Sequence, residues 1–310
     1  MTAPPRIAGT TTEQLIRGLE LQVTRRLDGM LHGDYLGLVP GHGSEPGDAR
    51  TYVPGDDVRR IDWNVSARLP GIHVRDTIAD RELESWVLLD RSPSLDFGTA
   101  ACHKRDLAYA AAGAFGFLTL RTGNRFGAVA VDGVSSTVLP PGTGRLHLLG
   151  LLRRLAEPGA GDGTGATPLG ASIDQLGRLC RRRGLAVVIS DFLTTDGWER
   201  PLRGLAVRHD ALAVEIVDPR ELELPDVGVI QLVDPTTGRR REIQTADAGL
   251  RERYAEAAAS QRATIARTIR STGADHLVLR TDGDWLQDLL RFVTLRRERV
   301  HARPTVGSRS

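Results

Sequence analysis

Residues Val87–Gly98 read VLLDRSPSLDFG. A run of apolar, strand-forming residues ends in an aspartate, and two serines follow at alternate positions around a proline. A strand that only fills a core usually stops at a turn built from Gly, Asn or Pro. This one stops on three oxygen-bearing side chains, Asp90, Ser92 and Ser94. Their shared parity points them to one side of an extended segment. Asp or Ser at a strand end is also a common cap of a following helix, so the stretch alone leaves capping and ligand binding both open.

Outward from this stretch the pattern alternates. Strands are predicted at 84–90 (ESWVLLD), 125–132 (RFGAVAVD), 185–191 (LAVVISD), 211–217 (ALAVEIV) and 276–280 (HLVLR), and helices at 103–121, 144–156, 168–182, 198–208, 247–271 and 284–298. Two shorter segments, SSTVLP near 135 and GVIQLVD near 228, read as edge strands. Apolar strands covered on both faces by helices predict a doubly wound α/β fold with a mostly parallel sheet. In such sheets the ligand site lies beyond the carboxyl ends of the strands, at the topological switch point. Asp191 ends the strand AVVISD, and it faces Asp90 if the two strands are neighbours. Hard cations such as Mg²⁺ take oxygen ligands in near-octahedral geometry, and two carboxylates with nearby hydroxyls suit one.

Upstream, Thr11–Met30 carries Leu15, Leu19, Val23 and Leu27 at a four-residue step, the stripe of an amphipathic helix. From Gly33 to Gly71 the composition shifts to Gly, Pro, Asp and Arg, and turns with short strands are expected. The expected organisation is an N-terminal helix with a small β-containing module over 1–80, the α/β domain over 81–300, and a frayed polar tail over 301–310.

Composition narrows the function. The 41 basic and 39 acidic residues nearly cancel, which gives no steer toward nucleic acid or an anionic membrane. Lys104 is the sole lysine, and a chain so rich in arginine, Ala and Gly reads as coding bias rather than a binding face. Cys102 and Cys180 are far apart and form no CxxC or Cys/His spacing, so neither a disulfide framework nor a zinc site is expected. The longest charge-free stretch, Leu107–Leu120, is shorter than the roughly 18 residues a membrane span needs. With no secretory pattern at MTAPPRIAGT, the expected location is the cytoplasm.

Two further stretches sharpen the reading. GDGTGATPLGASIDQL sets Thr167 in a Gly-rich loop just before a helix, and VVISDF supplies Asp191 on the next strand. DxSxS, a loop threonine and a strand-end aspartate in this order resemble the metal-ion-dependent adhesion site of von Willebrand factor A domains. That resemblance implies that Asp90, Ser92, Ser94, Thr167 and Asp191 ring one divalent ion, Mg²⁺ or alternatively Mn²⁺. In TYVPGDDVRRIDWNVSAR, residues Tyr52, Pro54, Gly55, Asp56, Asp57, Arg59, Ile61, Asp62, Trp63, Ala67 and Arg68 match the signature of a bacterial and archaeal family with a von Willebrand A-like domain, domain of unknown function fifty-eight. The resemblance runs from about Gly33 to beyond Asp191. It implies a partner, since family members are commonly encoded beside MoxR-type AAA+ ATPases. Leu95 stands where such families often carry methionine, and Ala49 and Arg50 match only in part. Many relatives carry membrane-spanning helices ahead of this region, and none is read here.

Taken together, these features predict a non-enzymatic adaptor: a metal-dependent protein–protein interaction module that works with a MoxR-type ATPase on a client protein. Within PGDDVRRIDW, Asp56, Asp57 and Asp62 are expected to pair with Arg59, Arg60 and Arg68 and so fix a turn-rich module; a contact surface for the ATPase or its client is the alternative. Two other functions stand beside the adaptor. A Mg²⁺-dependent phosphatase-like hydrolase would want a second aspartate where Ser92 stands, and a scaffold would keep the fold without the metal. The loop PGAGDGTGATPLG lacks the GK[ST] ending of a phosphate-binding loop, and no GxSxG nucleophile elbow occurs. His103, His147 and His276 are expected to be packed or solvated.

Overall fold

A computed structural model describes residues 12–30, 49–52, 61–68, 70–75, 83–133, 135–157, 168–194, 197–234 and 238–301. In chain order the elements are α1 (Thr12–Met30), β1 (Ala49–Thr51), α2 (Trp63–Ser66), β2 (His73–Arg75), β3 (Glu84–Asp90), α3 (Lys104–Arg121), β4 (Arg125–Asp132) and β5 (Ser135–Gly142). There follow α4 (Arg145–Ala156), α5 (Leu169–Leu179), β6 (Leu185–Ser190), α6 (Glu199–Arg208), β7 (Asp210–Val217), β8 (Val229–Val233), β9 (Arg240–Gln244), α7 (Ala248–Thr272), β10 (Asp275–Arg280) and α8 (Trp285–His301).

The larger unit comprises residues 1–39 and 83–310, the smaller residues 40–82. In the larger unit six strands run in the order β10-β7-β6-β3-β4-β5. All neighbours are parallel except the edge pair β4 and β5. The fold is therefore the doubly wound, mostly parallel α/β sheet that the strand and helix pattern predicts. Alternate residues of each strand feed two cores. Val87, Leu89, Val187 and Ile189 pack with α1, α3, α4 and α8 on one face, and Trp86, Leu88, Ala186 and Val188 with α5, α6 and α7 on the other. Helix α3 is apolar nearly all round, because it lies between the sheet and other helices. Phe115, fully buried on it, contributes about 1.5 to 3 kcal/mol by leaving water.

Chain order and sheet order diverge beside β3. From β3 the chain steps outward to β4 and β5, then returns to β6 on the other side. The carboxyl ends of β3 and β6 thus flank the switch point, where neither crossover closes the rim. Edge strand β5 is half-exposed and ends in Pro140 and Pro141, residues that an edge tolerates and a central strand does not.

Four elements depart from the expected pattern. The segment near 228 does not edge the main sheet: β8 pairs antiparallel with β9 in a separate two-stranded ladder. The charge-rich strand β9, RREIQ, carries almost no alternation to announce it. Helix α5 ends at Leu179 rather than 182, because the chain must tighten before β6, where a Cβ on Gly184 would stand 1.9 Å from the Glu84 carbonyl oxygen. Helix α1, grouped with the small module when the sequence is divided at residue 80, belongs to the α/β unit. Ile16, Leu19 and Val23 are buried in its core, and Leu19 sits where Gly113 of α3 leaves space for it. Ion pairs Glu20–Arg145 and Arg26–Asp284 tie its flanks down.

In the smaller unit β1 and β2 pair antiparallel. Asp62 caps α2, its Oδ1 accepting the Val65 amide at 3.2 Å, while Trp63 is 70% exposed. Asp56, Asp57, Arg59 and Arg60 of the Asp/Arg signature lie outside the described residues, as does the tail beyond His301. No helix among the described residues is long and apolar enough to cross a membrane. Cys102 and Cys180 are free and buried.

Candidate functional site

Asp90 is the last residue of β3, and Asp191 directly follows β6, its neighbour in the sheet. Each is 3% exposed. After Asp90 the chain stays extended at Ser92 and then enters a short 3-10 helix, Pro93–Asp96. Proline at its first position presets the φ that such a turn needs, and the turn brings Ser94 back beside Ser92, with their hydroxyl oxygens 3.0 Å apart. The proline wedged between the serines is thus the device that converges their oxygens. Leu95, in the place of the family methionine, is fully buried.

Hydrogen bonds link the set. The Ser92 amide donates to Asp90 Oδ1 at 2.9 Å, and the Ser190 hydroxyl donates to Asp90 Oδ2 at 2.7 Å. Ser190 in turn accepts the Phe192 amide, and Asp191 Oδ1 accepts the Leu193 amide. Phe192 has φ of +55°, an uncommon conformation for a bulky residue. Its ring is buried edge-on against Trp198, 5.1 Å between centroids, which holds the turn in place. Local strain of this kind, on the order of 1–3 kcal/mol, collects at functional sites.

Asp191 Oδ2 meets Lys104 Nζ at 2.9 Å. Lys104 opens α3 and has no exposed surface, and its ammonium also bonds Glu221 Oε1. The loop between the 3-10 helix and α3 folds tightly enough to deliver it there: a Cβ on Gly98 would lie 2.4 Å from His103 Cα. Glu221 and Glu215 both pair with Arg262 of α7, at 2.8 and 2.9 Å, and Arg262 also donates to the Asp191 carbonyl. His276 completes the series at 2.7 Å from Glu215. A chain of charges therefore runs from the rim into the layer between sheet and α7.

The electrostatics separate the two aspartates. Burial pushes the Asp90 carboxyl above its ordinary range and the charge of Asp191 adds to this, while hydrogen bonds from Ser190 and Ser92 offset part. Burial acts on Asp191 too, but the Lys104 charge, with hydrogen bonds from Lys104, Ser94 and the Leu193 amide, more than reverses it and holds that carboxyl low. Lys104 shows the mirror image. Burial would lower it, and Asp191 and Glu221 together raise it above the usual lysine value.

Of the five predicted ligands, the structure brings together Asp90, Ser92, Ser94 and Asp191, while Thr167 lies outside the described residues. The donor set consists of hard oxygens only, as Mg²⁺ requires, and the Ser92–Ser94 spacing of 3.0 Å equals the edge of an octahedron with ligands at about 2.1 Å. These residues fit such an ion. No cluster of three or more His, Cys, Asp or Glu side chains adds to them among the described residues. Sequence reasoning missed Lys104, Glu215, Glu221 and Arg262. Two signals were available: a lysine at a helix N-terminus, against the helix dipole, and a glutamate inside the apolar strand ALAVEIV. Of the two remaining histidines singled out in the sequence, His147 is bonded to the Phe126 carbonyl and His103 is the N-cap residue of α3.

The profile of the family described as "Protein of unknown function DUF58" matches residues 48–264. The uncharacterised proteins Rv1480 of Mycobacterium tuberculosis and Mb1516 of Mycobacterium bovis are each 55% identical over 282 residues, covering 91% of this chain and 89% of theirs. Among solved structures, the conserved hypothetical protein BatB from Bacteroides thetaiotaomicron aligns with a TM-score of 0.46 at 12% identity, covering 71% of this chain and 100% of that one. An aerotolerance-related membrane protein from Bacteroides fragilis aligns with a TM-score of 0.46 at 14% identity, covering 70% and 99%.

Proposed function

Since the chain belongs to the DUF58 family, we propose that it is a metal-dependent protein–protein interaction module, an adaptor that works with a MoxR-type AAA+ ATPase in assembling or remodelling client proteins. One observation carries the metal-dependent part: Asp90, Ser92, Ser94 and Asp191 form a hydrogen-bonded series at the switch point of the sheet. The ATPase comes from the family resemblance, and the site itself asks for an acidic side chain.

In this reading Asp90, Ser92, Ser94 and Asp191, with Thr167, hold Mg²⁺ or alternatively Mn²⁺ directly or through water. When bound, the ion supplies an open coordination position that a Glu or Asp of a partner fills. The chain's residues supply the geometry. Pro93 sets the hydroxyls beside each other, and Ser190 and the Ser92 amide hold the two oxygens of Asp90. Trp198 and Phe192 fix the turn that carries Asp191. Hydroxyl ligands would leave much of the ion's charge uncompensated, which favours an anionic side chain in the open position.

Calorimetric titration of Mg²⁺ and Mn²⁺ into the full chain and into Asp90→Asn tests this, with circular dichroism to establish that both are folded. Saturable binding that disappears in the folded variant is expected, together with Mg²⁺-dependent co-purification of a MoxR-type ATPase. Equal binding by the two proteins would abandon the site. A second reading, a scaffold that works without metal, draws on one observation: Lys104 already places a positive charge on Asp191. It predicts partner binding that a chelator leaves unchanged.

A further inference from the structure

Lys104 is a single lysine among 41 basic residues, and it is fully buried. Burying an ammonium costs several kcal/mol unless carboxylates answer it, and here two do, Asp191 and Glu221. Glu221 is itself anchored by Arg262, so the ammonium keeps a second carboxylate when Asp191 changes partners. The lysine sits on one oxygen of a carboxylate that also faces the hydroxyls of the rim.

We propose that Lys104 is the specificity-determining residue of the Asp90/Asp191 site: its resident charge on Asp191 weakens the binding of a divalent ion to the free chain and makes that binding depend on an incoming carboxylate. This rests on the metal reading above and adds the chemistry of the completing ligand. An ion at the rim meets two carboxylates, one of them already engaged by a cation. Lys104 and the ion repel each other across a short, water-poor distance, where charges act more strongly than in bulk water. The shell is then completed more favourably by an anion than by water or a carbonyl. Ion and carboxylate each raise the affinity for the other by the same factor, as linkage requires. The free chain stays loaded weakly, and a carboxylate-bearing partner locks the ion in.

The test follows Mn²⁺ binding to the full-length protein by loss of the free-ion electron paramagnetic resonance signal, with acetate as the carboxylate probe and acetamide as its neutral control. Wild type, Lys104→Met and Asp90→Asn are compared, and thermal unfolding is recorded alongside. Lys104→Met is expected to bind Mn²⁺ without acetate at least about tenfold more tightly than wild type. Acetate should tighten binding to wild type and have little effect on the variant, and Mn²⁺ should raise the melting temperature of the variant more than that of wild type.

Binding by Lys104→Met that equals or falls below wild type, while Asp90→Asn loses it, would overturn the role of Lys104 and leave the metal site standing. Absence of Mn²⁺ binding to both wild type and Lys104→Met, with or without acetate, would overturn both. Should Lys104→Met not fold, Glu221→Gln takes its place, since it leaves the ammonium to Asp191 alone. That variant should bind Mn²⁺ several-fold more weakly and respond more to acetate; unchanged or tighter binding overturns the proposal.

Discussion

Asp191 after β6 and Asp218 after β7 stand on the same rim of the sheet, both buried and both among hydroxyl-bearing side chains. Their surroundings differ in who donates. Asp218 Oδ1 accepts from the Thr99 hydroxyl at 2.6 Å and the Arg220 amide at 3.0 Å. Its Oδ2 accepts from the Thr99 amide at 2.9 Å and the Thr281 hydroxyl at 2.7 Å. Four donors from the chain fill the roughly four acceptor positions of a carboxylate. Asp218 staples the loop after β3, its own strand end and the end of β10, and it has nothing left to offer a ligand. Asp191 and Asp90 keep company with hydroxyls that bond each other as well as the carboxylates. The strand-end aspartates at the switch point differ in that their donors include rotatable hydroxyls and a lysine shared with a second carboxylate, groups that can yield to an ion.

The largest test of this contrast is Asp218→Ala. It strands four buried or half-buried donors, and a loss of about 3 to 4 kcal/mol is expected, read as a lower urea midpoint at unchanged slope. Asp90→Asn should show the reverse. Burial and the neighbouring Asp191 already penalise its charge, so stability without metal should stay within about 1 kcal/mol of wild type, while Mn²⁺ binding is lost. If Asp218→Ala proves milder than Asp90→Asn, the division into staple and site is wrong.

The pH dependence of the staple comes next in size. Burial pushes the Asp218 carboxyl up, but the hydrogen bonds from Thr99, Thr281 and Arg220 outweigh it and hold the folded value below the ordinary one. For a carboxyl lowered on folding, the unfolded chain binds the proton more readily. Its contribution is complete above the unfolded value near about 3.9 and disappears as pH falls through the lower folded value. The stability gap between wild type and Asp218→Asn should thus be wide at about pH 6 and narrow progressively as pH falls below about 3.9. A gap that stays constant over this range would mean that the four hydrogen bonds do not favour the ionised form.

Much of this was legible in the sequence, for identifiable reasons. The strands ESWVLLD, RFGAVAVD and LAVVIS are buried on both faces and show as unbroken apolar runs bounded by polar residues. Asp90, Ser92 and Ser94 were legible because β-parity and a proline act within five residues of chain. What stayed hidden depends on contacts between distant segments. Lys104 and Asp191 are 87 residues apart, and an isolated lysine at the head of a helix normally points to solvent. Asp218 shows locally as the cap of the DPRE turn, yet its Thr99 and Thr281 partners lie 119 and 63 positions away. The attachment of α1 to the α/β unit rests on Leu19 meeting Gly113, a fit between one side chain and one missing side chain that no periodicity records.

The finest resolution of the contrast comes from single hydroxyls. Thr281→Val keeps the shape of a side chain that is 1% exposed and keeps the bond from the Thr281 amide to the Val217 carbonyl; it removes one of the four donors to Asp218. The expected loss is about 1.5 to 3 kcal/mol, the net value of one hydrogen bond to a charged acceptor, and Mn²⁺ binding should not change. Ser94→Ala also removes one hydroxyl, from a half-buried residue whose bonds to Ser92 and Asp191 water can replace. Stability should move by less than about 0.5 kcal/mol, while Mn²⁺ binding weakens because a hard-oxygen ligand is gone. The two variants delete the same chemical group from the same rim, so opposite readouts must come from position alone. If Ser94→Ala costs stability as Thr281→Val does and spares the metal, the hydroxyls at the switch point are staples as well, and Asp90 with Asp191 forms a second structural clamp.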